Sequence, residues 1–231
     1  CSELSLSEEY VRKRVEKVSS IEKIKSNVSK ELGDIIRNYD LDGVKVDEDY
    51  KRYYPYDNLA SKVLGFTGAD NQGIIGLEVE YDKYLEGTKG TILTVTDAKG
   101  IEIEDASESR IEPIPGNDLI TSIDINVQTY ATQLAYEVME KKEAEGVSIL
   151  VMNPQDGSII AMVNAPEFNL NDPYTLTEDT LQLQGLENVE SLSSEEKQNG
   201  LNQMWRNGCI SDTYEPGSIF KVVTAAIGLE N

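Results

Sequence analysis

An apolar stretch near the end of the sequence places the strongest constraint on how this chain folds. Pro216 and Gly217 form a turn that can start a helix. The residues that follow are apolar on almost every side, namely Ile219, Phe220, Val222, Val223, Ala225, Ala226, Ile227 and Leu229. A helix without a polar face is typical of a protein interior. We therefore predict a buried helix in which Lys221 is the single charge between positions 219 and 229.

Ser218 and Lys221 are three residues apart, so on a helix they share one face. Burial and the positive end of the helix dipole both favour the neutral form of an amine, and a neutral amine can accept a hydroxyl proton. The Ser218 N–H at the helix start can help to hold an oxyanion. This layout is typical of a serine acyl-enzyme. The alternative is a buried lysine that pairs with an acidic residue, beside an ordinary serine.

Two other Ser-x-x-Lys strings occur in the chain, Ser20-Ile21-Glu22-Lys23 and Ser194-Glu195-Glu196-Lys197. In both strings the lysine has a carboxylate neighbour and lies in a polar window. These surroundings predict a solvated, cationic lysine that cannot act as a base. The tetrapeptide alone is therefore a weak signal, and its apolar context distinguishes the third string.

Composition excludes several classes of site. The chain contains no histidine, which excludes a Ser-His-Asp triad, a Cys-His pair and an H-E-x-x-H zinc site. Its two cysteines, Cys1 and Cys209, are too few for a zinc cluster or a disulfide framework. We predict no metal and no cofactor. A net charge of -21 argues against nucleic acid as a partner.

The chain divides at residues 112 to 116, where two prolines and a glycine interrupt the pattern. We predict one domain over residues 1–115 and a second over residues 116–231. The predicted elements of the first are helices within the first forty residues, a strand over residues 44–54 and a hairpin over residues 91–104. Those of the second are a strand over residues 118–123, a helix over 126–142, and strands over 146–152 and 158–163.

The last two strands are joined by so short a turn that they must be antiparallel neighbours. The segment from residue 165 to residue 200 is polar and acidic, which predicts a long excursion or a partly mobile loop. Helices and antiparallel strands together indicate the α+β class.

Three blocks of the sequence carry a resemblance to a known family. They are Gly65 to Glu78 with Tyr81-Asp82, Val151 to Met162, and Tyr214 to Lys221. In this order they resemble class B penicillin-binding proteins, the monofunctional D,D-transpeptidases of bacterial peptidoglycan synthesis. The resemblance covers nearly all 231 residues, and Ser-x-x-Lys is a motif of penicillin-binding enzymes.

The resemblance implies a two-part architecture. Residues 1 to about 115 resemble part of a membrane-proximal pedestal, in which Gly73, Gly76 and Glu78 belong to a structural block. Residues from about 116 resemble the N-terminal portion of a transpeptidase domain with a serine β-lactamase-like fold, an antiparallel sheet and a buried catalytic helix. The family is anchored by an upstream helix at the extracytoplasmic face of the bacterial plasma membrane.

The resemblance also implies a reaction in cell-wall cross-linking. It assigns Ser218 as the nucleophile that attacks D-Ala-D-Ala stem peptides and Lys221 as the residue that activates it. β-Lactam antibiotics imitate the donor and acylate the same serine, and a membrane glycosyltransferase of the cell-wall machinery is the implied protein partner. The family's Ser-x-Asn and Lys-Thr-Gly motifs are absent from this sequence, and Thr88-Lys89-Gly90 is a scrambled lookalike. We therefore expect the chain alone to be inactive.

Two other interpretations remain open. The chain can belong to a penicillin-sensing receptor or a class D β-lactamase, which also use Ser-x-x-Lys, although a lactamase has no need of the long pedestal-like first half. It can also be a non-catalytic cell-wall scaffold that retains only the transpeptidase fold.

Overall fold

The structure is a computed structural model that describes residues 1–17, 19, 22–26, 28–47, 51–93, 109–186, 189 and 192–230. By its internal contacts the chain forms two compact units, one of residues 1–53 and 83–118 and one of residues 54–82 and 119–231. The domain boundary at residues 115 and 116 stays a prediction. The α+β class is confirmed, because helices accompany two antiparallel pairs of strands.

Ten α-helices and four strands are assigned within the described ranges. In chain order these elements are α1 Glu8–Val15, α2 Lys30–Asn38, α3 Ser61–Leu64, α4 Gly76–Glu80, α5 Asp82–Leu85, β1 Thr91–Leu93, β2 Ser109–Ile111, α6 Ile125–Lys142, β3 Val147–Met152, β4 Ile159–Ala165, α7 Glu178–Leu183, α8 Ser194–Trp205, α9 Gly208–Ser211 and α10 Lys221–Glu230. A 3₁₀ helix, Gly217–Phe220, directly precedes α10.

The first unit contains α1, α2 and the β1–β2 pair. Serine side chains start both helices, because Ser7 accepts the Tyr10 N–H and Ser29 accepts the Leu32 N–H. The helices expected within the first forty residues are thus present. The predicted strand over residues 44–54 is wrong for residues 44–47 and 51–54, which form no strand. Most of the predicted hairpin, including its turn, lies outside the described residues.

The second unit contains a helix packed on a two-stranded sheet. Strands β3 and β4 pair antiparallel, as predicted, with an irregularity between Val151 and Met152. Helix α6 covers this sheet, and a small apolar cluster lies between them, formed by Ala131, Ala135, Ala161, Val163 and Ala165. The small side chains allow the helix and the sheet to approach closely.

A second apolar cluster includes residues of the segment over residues 165–200, for which a long excursion or a partly mobile loop stays the prediction. Apolar residues of this segment are buried with Phe66 and Trp205; the cluster comprises Phe66, Phe168, Leu170, Leu176, Leu201, Met204 and Trp205. The indole N–H of Trp205 donates to the Pro173 carbonyl at 2.8 Å. The buried apolar side chains of Phe168, Leu170 and Leu176 therefore hold the first part of this polar segment against the unit.

The predicted strand over residues 118–123 is also wrong, since these residues have no strand partner. The segment instead approaches the start of β4, where the Asp124 N–H donates to the Ile160 carbonyl at 2.9 Å. Further along β4, the side chain of Gln128 bonds the backbone of Met162. That part of the strand edge is consequently not free to pair with residues 118–123. No helix among the described residues has both the length and the apolar character needed to cross a membrane.

Candidate functional site

The turn predicted before Ser218 is present. Pro216 has helical backbone angles, with φ −70° and ψ −18°, and the Ile219 N–H donates to its carbonyl at 3.3 Å. Gly217 has a φ of +56°, a left-handed conformation that favours glycine. The Pro-Gly pair therefore starts the 3₁₀ helix that carries Ser218.

Ser218 and Lys221 lie three residues apart across the junction between the 3₁₀ helix and α10. The backbone N–H of Lys221 donates to the Ser218 carbonyl, so one turn of helix joins the two residues. Side chains at this spacing lie one above the other in a 3₁₀ helix. The backbone therefore brings the two residues onto one face. Among the described residues, however, no hydrogen bond joins the Ser218 hydroxyl to the Lys221 amine.

The predicted burial of this helix is wrong for this chain. Every residue from Ile210 to Glu230 is exposed, and the apolar side chains of Val222 and Leu229 are 73% and 89% exposed. An apolar helix is buried only when other elements pack over it, and in the described part of the chain none does so. The sequence predicts a neutral Lys221 amine because burial would remove water from it. Lys221 is exposed in this chain, so that burial is not observed.

The Ser194 string has a structural explanation of its own. It forms the first turn of α8, where Ser193 and Glu196 make a capping box: the Ser193 hydroxyl accepts the Glu196 N–H, and the Glu196 carboxylate accepts the Ser193 N–H. Lys197 is exposed in this turn. The Ser20 string lies partly outside the described residues.

Sequence reasoning missed Asn207, which anchors the segment that leads to Ser218. The residue is buried, with a relative exposure of 7%. The amide oxygen accepts the Cys209 N–H at 3.0 Å, and the amide nitrogen donates to the Lys62 carbonyl at 3.2 Å and lies 3.4 Å from the Met162 sulfur. The Asn-Gly pair at 207 and 208 was a turn signal in the sequence, but no local pattern indicated burial.

Two ionisable side chains, those of Lys62 and Glu167, are buried in the same unit as Asn207. Lys62 donates to the Asn164 side-chain oxygen at 3.3 Å, and burial lowers the pKa of its amine. Burial raises the pKa of Glu167 to about 8, although the charge of Lys62 opposes the rise. One carboxylate oxygen of Glu167 has no hydrogen-bond partner within the described structure. Below about pH 8 the protonated form of this buried carboxyl therefore predominates.

The glycine block at residues 73 to 78 is closely packed. The Gly73 N–H donates to the Asp82 carboxylate at 2.7 Å, and the Tyr54 hydroxyl donates to the Glu78 carboxylate at 3.2 Å. Gly76 has a φ of +65°, and a Cβ there would lie 2.6 Å from the Val63 carbonyl oxygen. The block therefore requires glycine for its backbone geometry, which is consistent with a structural role.

Comparison with known families matches both halves of the chain. Residues 1–121 match the family described as "Penicillin-binding Protein dimerisation domain". Residues 147–231 match the family described as "Penicillin binding protein transpeptidase domain". The two matches follow the order expected from the sequence blocks.

Individual relatives and structures agree with these matches. The chain is 36% identical over 230 residues to "Stage V sporulation protein D" of Bacillus subtilis (strain 168), covering 98% of this chain and 32% of that protein. It is 32% identical over 228 residues to "Peptidoglycan D,D-transpeptidase FtsI" of Buchnera aphidicola subsp. Baizongia pistaciae (strain Bp), covering 98% of this chain and 35% of that protein. The chain thus spans about a third of the length of these curated relatives.

The fold has a counterpart among solved structures. Penicillin-binding protein PBP2 of Helicobacter pylori, solved in a complex with MreC, superposes with a TM-score of 0.61 at 25% identity. The superposition covers 99% of this chain and 43% of that one.

Proposed function

This chain belongs to the class B penicillin-binding proteins, and from that membership we propose that it is part of a serine D,D-transpeptidase that cross-links peptidoglycan. Ser218 is the proposed nucleophile, and Lys221 is the proposed base. The observation that carries this assignment is the helix start at Pro216 and Gly217, which sets a hydroxyl and an amine one turn apart in the segment that matches the transpeptidase family.

The proposed acylation uses both side chains. The Lys221 amine takes the hydroxyl proton while the Ser218 oxygen attacks the carbonyl carbon of the penultimate D-Ala. The Ser218 N–H, at the start of a helix where such groups lack intrahelical partners, is a candidate donor to the resulting oxyanion. The amide bond to the terminal D-Ala then breaks, the departing amine takes the proton from Lys221, and an ester to Ser218 remains.

Transfer of the acyl group completes the cycle. The amine of a second stem peptide attacks the ester carbonyl and loses a proton, the bond to the Ser218 oxygen breaks, and the serine regains its hydrogen. A β-lactam follows the first half of this path, because opening of its ring leaves an ester on the same oxygen. This chemistry belongs at the extracytoplasmic face of the plasma membrane, where an upstream anchor and a membrane glycosyltransferase partner are also proposed.

Labelling with a fluorescent penicillin tests the proposal. In the full-length protein, peptide mass spectrometry is expected to find one adduct per molecule, on the peptide that contains Ser218. Ser218→Ala is expected to abolish labelling, and Ser194→Ala, in the second Ser-x-x-Lys string, is expected to leave it unchanged. Persistent labelling of the Ser218→Ala variant would overturn the assignment.

A further inference from the structure

The segment between α8 and the Ser218 turn is fixed to the unit at one place. Asn207 is buried, Gly208 and Cys209 are half-buried, and the described residues from 210 to 230 are all exposed. Among the described residues after α8, those at 207 to 209 are therefore the ones held against the unit.

The side chain of Asn207 makes contacts to three separate parts of the unit. It accepts the Cys209 N–H and so starts α9, it donates to the Lys62 carbonyl at the α3 helix, and it touches the Met162 sulfur on β4. These contacts span 145 residues of sequence between Asn207 and Lys62. One amide group thus ties the start of α9 to both a helix and the sheet.

Helix α9 lies directly against β4, and the space beside Gly208 is occupied by the ends of two side chains. The Cys209 thiol donates to the Val163 carbonyl at 3.4 Å. A Cβ added at Gly208 would lie 2.8 Å from the Asn164 side-chain nitrogen and 2.7 Å from the Asp212 carboxylate. A side chain at position 208 would therefore shift the side chains of Asn164 and Asp212, the second of which pairs with Arg206.

An ion pair between Arg206 and Asp212 joins the two ends of the segment that contains α9. Arg206 donates from Nε to the Asp212 carboxylate at 2.7 Å and from Nη2 to the Ser211 carbonyl at 2.8 Å. Both partners are substantially exposed, so this pair alone is worth little. It joins Arg206 to Asp212 across α9, and Asp212 lies six residues before Ser218.

From these contacts we infer that Asn207 is a positioning residue for acyl transfer, which fixes where Ser218 is presented to the substrate. The inference rests on the proposed function of Ser218. A reacting group must be held close to its productive geometry, and a misplacement of about 1 Å that originates away from the reacting atoms can lower the rate about 100-fold. Asn207 has no direct part in the chemistry.

Asn171 provides a matched control. Its side chain also joins separate segments: it accepts the Tyr54 N–H at 3.0 Å and donates to the Tyr54 carbonyl and the Asp57 carboxylate, both at 2.8 Å. It likewise joins distant parts of the same unit. Asn171 lies in the segment before α7, however, and none of its three contacts involves residues 206 to 218. Loss of this side chain removes these hydrogen bonds without removing any of those that hold α9.

The experiment follows acylation of the full-length protein by excess fluorescent penicillin in Asn207→Ala, Gly208→Ala and Asn171→Ala. With penicillin in excess, protein that stays unfolded during the assay lowers the final amplitude and leaves the observed rate constant of the folded protein unchanged. We expect Asn207→Ala and Gly208→Ala to lower the limiting acylation rate constant about 10-fold to 100-fold, with the penicillin dissociation constant little changed. Asn171→Ala is expected to reduce only the amplitude.

Three results would overturn the inference. The first is a wild-type rate constant in both Asn207→Ala and Gly208→Ala, whatever their amplitudes. The second is an equal loss of rate in Asn171→Ala, which would indicate a general effect of destabilisation. The third, a wild-type protein that is not labelled at Ser218, would remove the proposed function as well, and only this result does so.

Discussion

Gln128 and Met162 exchange two hydrogen bonds in the interior of the second unit. The Gln128 side-chain nitrogen donates to the Met162 carbonyl at 2.9 Å, and the Met162 N–H donates to the Gln128 side-chain oxygen at 2.8 Å. The glutamine amide thus bonds strand β4 as the backbone of another strand would. Gln128 is fully buried, so its side-chain amide covers these backbone groups of Met162.

Replacement of Gln128 by methionine is expected to destabilise the chain by about 2–4 kcal/mol. Methionine has a similar length, but it leaves the Met162 N–H and carbonyl buried without partners, and each unsatisfied group costs roughly 1–3 kcal/mol. Urea unfolding measures the change. Gln133, which is exposed on the same helix, is the control, and Gln133→Met is expected to change the free energy of unfolding by no more than about 0.5 kcal/mol. Equal effects of the two substitutions would contradict the role assigned to Gln128.

Glu167 is expected to make stability fall as pH rises. Its pKa in the folded chain is about 8, against an ordinary value of 4.5. Between these values the unfolded chain releases the proton and the folded chain retains it, so the free energy of unfolding decreases with pH. Glu167→Gln is expected to make this decrease shallower, by up to about 1.4 kcal/mol per pH unit for one proton.

Urea unfolding at pH 5, 6, 7 and 8 checks the effect of Glu167. Other carboxylates contribute to the pH dependence of so acidic a chain, so the difference between the variant and the wild type is the informative quantity. Glu145→Gln, an exposed substitution in the turn between α6 and β3, is the control and is expected to keep the wild-type slope. A Glu167→Gln variant with the same slope as the control would show that Glu167 is ionised in the folded chain across this range.

Gly76→Ala is expected to destabilise the chain much more than Gly157→Ala. Both glycines have positive φ, +65° and +76°, so both substitutions carry the left-handed penalty of about 1–2 kcal/mol. A Cβ at Gly76 also meets backbone atoms of Val63 and Gly65 within 2.7 Å, whereas nothing lies within 4 Å of one at Gly157. We expect an additional loss of about 1–3 kcal/mol for Gly76→Ala, measured by urea unfolding. Equal losses would mean that the block relaxes around the methyl group.

The sequence predicted those elements whose signal is local. The sequence predicts helix α6 and strands β3 and β4 within a few residues of their observed ends. Hydrophobic periodicity and a short turn both depend on residues that are close in the sequence, so they can be recognised without knowledge of the fold. The turn at Pro216 and Gly217 was expected for the same reason. These features depend on backbone preferences that nearby residues determine.

Burial could not be predicted where it depends on distant parts of the chain. Phe168 is buried because Phe66, about a hundred residues earlier, packs against it, and no local pattern reports that contact. Asn207 is buried for a similar reason, through Lys62. The apolar residues of α10 predict a buried helix. Apolar composition shows that such a helix is stable only when other elements pack on it, but it does not show which elements do so.

The 231-residue chain alone is expected to form no lasting penicillin adduct. Ser218 and Lys221 are both exposed in it, and the interactions that would favour acyl transfer are weak in water compared with a desolvated site. Intact-protein mass spectrometry after incubation with penicillin measures the outcome, with the full-length protein as the positive control. A stoichiometric adduct on Ser218 of the isolated chain would mean that residues 1–231 already contain a complete acylation site.

Lys221→Arg in the full-length protein separates the role of Lys221 as a base from its role as a charge. Arginine keeps the positive charge and the donor capacity, but it cannot lose a proton in a protein and so cannot accept one from Ser218. Because a general base contributes roughly 10²-fold to 10⁴-fold, we expect the acylation rate constant to fall by about that factor, measured with fluorescent penicillin. Lys197→Arg, in the exposed Ser194 string, is the control and is expected to react at the wild-type rate. Near-normal acylation in Lys221→Arg would mean that Lys221 acts through its charge and that another group removes the proton.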